Sequence, residues 1–162
     1  MVDFTGGTWR SLIDGSEVSA IADSVVCRTA DDDSSQTSSP RGLEFEVKSD
    51  FLEVGYRISE NTTENDGTAR LYEDDDGSWV EVETKDITGL GSNDEFSIPF
   101  DYNSNLKYVI EIDLDGDSFG FTSTQNFPYE DDNIKITDAT RDGGDSADLS
   151  AAISCIGDLG IQ

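Results

Sequence analysis

Leu43-Glu44-Phe45-Glu46-Val47-Lys48 alternates apolar with charged side chains without a break. A period of two puts Leu43, Phe45 and Val47 on one face of an extended strand and Glu44, Glu46 and Lys48 on the other. Leu52, Val54, Tyr56 and Ile58 repeat the pattern against Glu53, Arg57 and Ser59. Further out the same period recurs in Val80 and Val82 against Glu81 and Glu83, in Phe96, Ile98 and Phe100, in Tyr108, Ile110 and Ile112, and in Ile134 and Ile136. No stretch sustains a helical period, so these runs read as half-buried strands.

Turn signals punctuate the runs: Asn65-Asp66-Gly67, Asp76-Gly77, Gly89-Leu90-Gly91, Asp115-Gly116 and Asp142-Gly143-Gly144. The clearest hairpin is Ala69 to Glu73, a turn Asp74-Asp75-Asp76-Gly77, and Ser78 to Glu83. A parallel sheet would need crossover helices that this sequence does not offer. The expected fold is therefore all-β, a jelly-roll-like antiparallel β-sandwich.

A chain of 162 residues suffices for one core and is short for two. Residues 43–162 carry the alternation and form the expected sandwich domain. Residues 1–28, with Trp9, Leu12, Ile13, Val18 and Ile21 spaced around Asp14-Gly15, read as an extended N-terminal arm for anchoring or oligomerisation. Between them, residues 29–42 are rich in Asp, Ser and Thr and read as a polar loop.

The net charge is −26, from 36 Asp+Glu against 10 Lys+Arg, with no His. In dilute buffer such a surface repels itself, whereas at about 1 M salt the screening length falls to roughly 3 Å and the repulsion largely disappears. The chain reads as halophilic, its surface made of strongly hydrated acids rather than mixed ion-pair networks. Whole-chain disorder conflicts with 35% apolar residues in periodic runs. A nucleic-acid mimic would gather its acids on one face, and these are spread along the chain. Binding to nucleic acid is disfavoured, since phosphate affinity comes from Lys and Arg. The opening residues have neither the basic nor the apolar region of a secretory signal, and no apolar run suits a membrane span, so neither signal-dependent export nor membrane insertion is expected.

Without histidine there is no Ser-His-Asp or Cys-His pair and no imidazole metal ligand, and no Gly-rich loop ends in Lys-Ser/Thr. What remains is carboxylate chemistry. An acid pair could hydrolyse glycosides, but among 36 acids a candidate pair carries no information. Calcium is the better reading for Asp113, Asp115 and Asp117, three carboxylates on alternate positions of a tight turn. The pattern departs from an EF-hand, with Thr124 where the bidentate Glu belongs, and a turn decorated with acids explains it as well. Asp74-Asp75-Asp76-Gly77 with Glu73 is a second such candidate.

Sugar rings stack on exposed aromatics, which makes four residues candidates for ligand or host contact. Trp79 shares the outward parity of Glu81 and Glu83, and Tyr72 lies across the same hairpin on the polar parity. Phe127 and Tyr129 flank Pro128 in a loop between strands. Packing at a strand end or a subunit contact is the competing explanation for each. Cys27 and Cys155 sit in apolar runs near opposite ends of the chain. A bridge between the first and last strands would add roughly 2–5 kcal/mol, and two buried thiols are the alternative. Asn61-Thr62-Thr63 is a glycosylation sequon in an expected loop.

The run from Gly6-Gly7-Thr8-Trp9-Arg10 to Ile21-Ala22-Asp23-Ser24 resembles the opening of proteins encoded by haloarchaeal tailed viruses and related proviruses. Gly67 to Tyr72, Leu106 to Asp113 and Asn126 to Tyr129 are similar to sandwich domains of such virion surface and tail proteins. The resemblance implies a non-enzymatic structural protein of the particle: a capsid turret or decoration protein, or a tail-fibre or baseplate component. It further implies a homo-oligomer that contacts other virion proteins, is assembled in the host cytoplasm, and aids attachment to a host surface glycan or glycoprotein. A stand-alone carbohydrate-binding module is the alternative, and a polysaccharide hydrolase a third.

Overall fold

The structure, a computed structural model, describes residues 2–5, 8–11, 23–25, 34–36, 40–58, 62–116, 119–123, 127–141, 154–155 and 157–161. No helix occurs among them. The strands are β1 (Val2–Thr5), β2 (Thr8–Ser11), β3 (Asp23–Val25), β4 (Ser34–Gln36), β5 (Arg41–Val47), β6 (Phe51–Ile58), β7 (Asn65–Asp75), β8 (Ser78–Leu90), β9 (Glu95–Tyr102), β10 (Lys107–Leu114), β11 (Phe119–Ser123), β12 (Tyr129–Glu130), β13 (Ile134–Arg141), β14 (Ser154–Cys155) and β15 (Gly157–Ile161).

Two antiparallel sheets form the sandwich, one of six strands in the order β12-β13-β5-β10-β7-β8 and one of four in the order β3-β15-β6-β9. Smaller sheets join β1 to β2 and β14-β11-β4. The alternating residues supply the core: Leu43, Phe45 and Val47 of β5, Val54, Tyr56 and Ile58 of β6, Tyr108, Ile110 and Ile112 of β10, and Ile134 and Ile136 of β13 are all buried in one cluster. Aromatic rings tie the sheets together. Tyr102 of β9 lies 6.1 Å from Phe45 and 5.1 Å, edge-on, from Tyr108, between ring centroids. Buried hydroxyls need partners, and that of Tyr108 also fixes the β9–β10 turn. The Tyr102 hydroxyl donates to the Ile98 carbonyl at 3.0 Å, and the Asn103 N–H donates to the Tyr108 oxygen at 2.7 Å. Burial pushes both phenols above the ordinary tyrosine value, so they stay protonated.

Several boundaries differ from the sequence reading. Asp76 and Gly77, with φ of 52° and 86°, form the whole β7–β8 turn, as a two-residue loop with both central residues at positive φ requires. Both strands are longer than expected: β7 begins at Asn65, inside the expected Asn65-Asp66-Gly67 turn, and β8 runs through Gly89-Leu90. The hairpin tip outruns the core, so Val80 is 45% exposed despite its inward parity, while Val82 packs partly against the core. Within the stretch read as an arm, β1 and β2 form a hairpin and β3 joins the four-stranded sheet beside β15. Within the stretch read as a polar loop, β4 pairs with β11.

Candidate functional site

The outer face of the six-stranded sheet gathers charged and aromatic side chains from four adjacent strands and the last hairpin strand. Antiparallel register sets its rows, because directly opposed residues share a face. Tyr72 lies opposite Glu81 and Asp74 opposite Trp79 across β7–β8, while Lys107 of β10 lies opposite Glu46 of β5, itself opposite Lys135 of β13. Tyr108 and Phe45 point inward, so their neighbours Lys107 and Glu46 point outward. Lys135, Glu46, Lys107, Asp74 and Trp79 therefore follow one another across the sheet.

Ion pairs link this row to the one beside it. Lys107 Nζ lies 3.1 Å from Glu44 Oε1 and 4.0 Å from Glu46 Oε1, and Lys135 Nζ lies 3.4 Å from Glu46 Oε2. Thr137 donates its hydroxyl to Glu44 at 2.7 Å. Nearby, Lys48 reaches Glu130 at 2.9 Å and the Asp131 carbonyl. Three of the chain's four lysines are thus spent on this face, a local ion-pair network where the composition suggested a surface of hydrated acids. The hydrogen bond that Lys107 donates to Glu44 holds the ammonium above the usual lysine value, with the charges of Glu44, Glu46 and Asp74 adding to it and partial burial opposing.

Beside Lys107 the face opens into a depression of about 400 Å³ lined by Glu46, Asp74, Ser104, Asn105, Leu106 and Lys107. Its rim is held in place. Asn105 donates its backbone and side-chain N–H groups to Asn103 Oδ1 at 2.9 and 3.0 Å, and Leu106 N–H donates to the Asn103 carbonyl at 3.0 Å. Ser104 N–H donates to Asp50 Oδ1 at 3.0 Å, and that bond lowers the Asp50 pKa. On the opposite rim Asp74 Oδ1 accepts from Gly77 N–H at 2.7 Å, fixing the carboxylate at the turn. The half-buried indole of Trp79 stands across the ladder from Asp74.

Of the four aromatic candidates, the fold brings Tyr72 and Trp79 to this face. Tyr72 is only 9% exposed, so it offers a ligand little of its ring, and Trp79 is the more accessible partner. Phe127 and Tyr129 lie at the opposite edge of the same sheet, their rings edge-on at 5.5 Å and packed partly against the core. Tyr129 pairs with the buried Ile136, which turns it toward the inner face.

The proposed calcium ligands are placed apart in role. Asp113 lies in β10, 3.5 Å from Arg70, which also lies 3.7 Å from the buried Glu111. Asp115 begins the following bend, its N–H donating to the Asp66 carbonyl at 2.9 Å, and Asp117 lies outside the described residues. In the second acidic turn, Asp74 caps Gly77. Among the described residues no three His, Cys, Asp or Glu side chains are grouped to hold a metal ion. Cys27 and Asn61 lie outside the described residues, and Cys155 is described only in the β14 backbone, opposite Thr122, so the Cys27–Cys155 pairing falls outside them too.

The sequence reading missed Lys107, Glu46 and Asn105 as site residues. Each looks like ordinary strand or turn surface, and only the pairing of β10 with β5, more than fifty residues away in the chain, assembles them. Among the described residues no helix is long and apolar enough to cross a membrane. No protein-family model matches the chain, and no curated protein matches it either.

Proposed function

We propose that this chain is a non-enzymatic structural component of a halophilic archaeal virus particle, displayed on the capsid as a turret or decoration protein or on the tail as a fibre or baseplate component. Its partners in this reading are copies of itself and other virion proteins, and the jelly-roll form of the sandwich belongs to the same proposal. The observation that carries it is the −26 charge on an all-β sandwich, with the described lysines held in ion pairs or hydrogen bonds to the protein itself. Such a surface suits exposure to brine and leaves little cationic surface for nucleic acid. The resemblance of residues 6–24 to haloarchaeal virus proteins supplies the setting.

The test is the mass in solution at multi-molar KCl, by light scattering, of the full chain and of a chain lacking residues 1–20. That truncation removes β1 and β2 but spares β3, which pairs with β15. A discrete oligomer that falls to monomer on truncation supports a particle building block anchored by its N-terminal segment. A monomer in both cases sinks that reading and favours a stand-alone carbohydrate-binding module. The depression lined by Asp74, Asn105 and Lys107 favours that second reading and is compatible with the first.

A further inference from the structure

We infer that the depression bounded by Glu46, Asp74, Asn105 and Lys107 is a binding site for a neutral pyranose that reaches Trp79, the residue opposite Asp74 on the adjoining strand. The inference does not depend on particle membership, because a particle protein and a free module could carry the same site.

The ligand class follows from the groups that face the depression. A carboxylate only accepts hydrogen bonds, an ammonium only donates, and a primary amide does both. Vicinal hydroxyls, each donor and acceptor at once, can satisfy all three. Asp74 and Lys107 come from adjacent strands of one sheet and Asn105 from a turn tied by several hydrogen bonds, so the polar groups are held before a ligand arrives. Preorganisation of this kind lowers the entropy cost of binding. The volume, about 400 Å³, lies within the roughly 300–1,000 Å³ of small-molecule clefts. Trp79 adds a broad apolar surface one strand spacing from Asp74, where the C–H face of a sugar ring can stack.

Charge at contact distance disfavours the alternatives. An anionic ligand meets Glu46 and Asp74 on a chain of net charge −26. A bare cation meets Lys107, held protonated by the same carboxylates. In brine, moreover, attraction between separated charges is screened within a few ångströms. Recognition there must come from short hydrogen bonds and stacking, which a neutral polyol uses and which salt leaves largely intact.

The test uses the full chain, isotopically labelled, in multi-molar KCl. Two-dimensional ¹H–¹⁵N spectra are followed during titration with methyl α-glucoside, methyl α-mannoside and methyl β-galactoside, with sodium glucuronate as the charged control. The chain has two tryptophans, so the indole N–H of Trp9 serves as internal reference for Trp79. A saturable shift of the Trp79 indole and the Asn105 side-chain amide, at millimolar concentration of at least one neutral glycoside, is the expected result. Trp79→Ala weakens that binding by at least ~10-fold, Trp79→Phe retains most of it, and glucuronate binds more weakly than the neutral sugar. Should Trp79→Ala fail to fold, Asn105→Ala on the exposed turn and the wild-type shift map decide the matter. Absence of saturable shifts with all three neutral glycosides overturns the inference, as does undiminished binding by the Trp79 or Asn105 variant. Absence of sugar binding combined with a discrete oligomer removes the site and leaves the particle reading standing.

Discussion

Two glycines show how one substitution can fail for different reasons. Gly42 lies in β5 between β10 and β13, and a Cβ there would stand 2.5 Å from both the Ile110 carbonyl oxygen and Thr140 Oγ1. Backbone held in a ladder cannot yield cheaply, so Gly42→Ala should cost about 3 kcal/mol, the upper end of overpacking penalties. Gly77 has open space around its Cβ position but a φ of +86°, so Gly77→Ala should cost only about 1 kcal/mol of backbone strain. Urea melts at fixed salt measure both, and equal costs would contradict this assignment of causes. Arg70 offers a second residue-scale test. Glu111 is 2% exposed and Arg70 29%. Arg70→Met should cost about 2 kcal/mol, below the roughly 3–5 kcal/mol of a fully buried pair, because water reaches the guanidinium. Adding Glu111→Gln should recover part of that loss, and a double-mutant cycle with no coupling would show that the pair contributes nothing.

Elements with an unbroken alternation were legible in the sequence, and those whose environment depends on distant pairing were not. In β5, parity alone identified Leu43, Phe45 and Val47 as core. In β8 the same reasoning misplaced Val80, because parity says which way a side chain points and not whether anything lies there to cover it. A bulge between Leu71 and Tyr72 shifts the β7–β8 register, and another between Ile136 and Asp138 brings Ala139 to the core face of β13. Neither has a marker in the local sequence. Trp79 and Tyr72 were legible as candidates because they share a hairpin, whereas Lys107 and Glu46 needed a register that no short-range signal encodes. β8 also carries a device of its own, as the outermost strand of the six-stranded sheet. Thr84 N–H donates to Glu83 Oε1 at 3.0 Å, and its hydroxyl donates to Glu81 Oε1 at 2.8 Å. A backbone donor capped by a carboxylate is denied to an incoming strand, and two like charges repel a second copy of the same edge. The double variant Glu81→Val, Glu83→Val should therefore form larger assemblies than the parent at the same salt concentration. Unchanged mass by light scattering in both proteins would remove this role from the two glutamates.

Two electrostatic contributions of opposite sign compete at the scale of the whole molecule, and salt separates them. The ion pairs of Lys48, Lys107 and Lys135 stabilise the fold, but they are partly exposed and each contributes at most about 1 kcal/mol, less when screened. Against them stands the mutual repulsion of 36 acids with 10 cations to offset it, which is stronger in the compact state than in the expanded one. Raising KCl weakens both, and the larger wins, so thermal stability should climb steadily from dilute buffer to multi-molar salt. The same balance fixes the pH response. Repulsion makes the folded state hold protons more tightly than the unfolded state, and stability then falls as pH rises. Asp138 acts in this direction, its carboxyl raised by burial and by Glu44, so its contribution is fully present below the unfolded pKa and lost as pH rises through the folded one. Asp50 and Glu130 act in the other, lowered by hydrogen bonds from Ser104 and Lys48 respectively, and their contribution is lost only as pH falls through folded pKa values below the ordinary carboxylate range of about 4. Between pH 7 and pH 5 repulsion therefore dominates, and in dilute buffer the melting temperature should rise as the pH is lowered. In multi-molar KCl that slope should flatten, because screening has already removed most of what protonation would relieve. Melting curves at four or five pH values in each salt decide it. Equal slopes in the two salts would mean that the acids act through local contacts rather than through their summed field, and the halophilic reading would lose its physical basis.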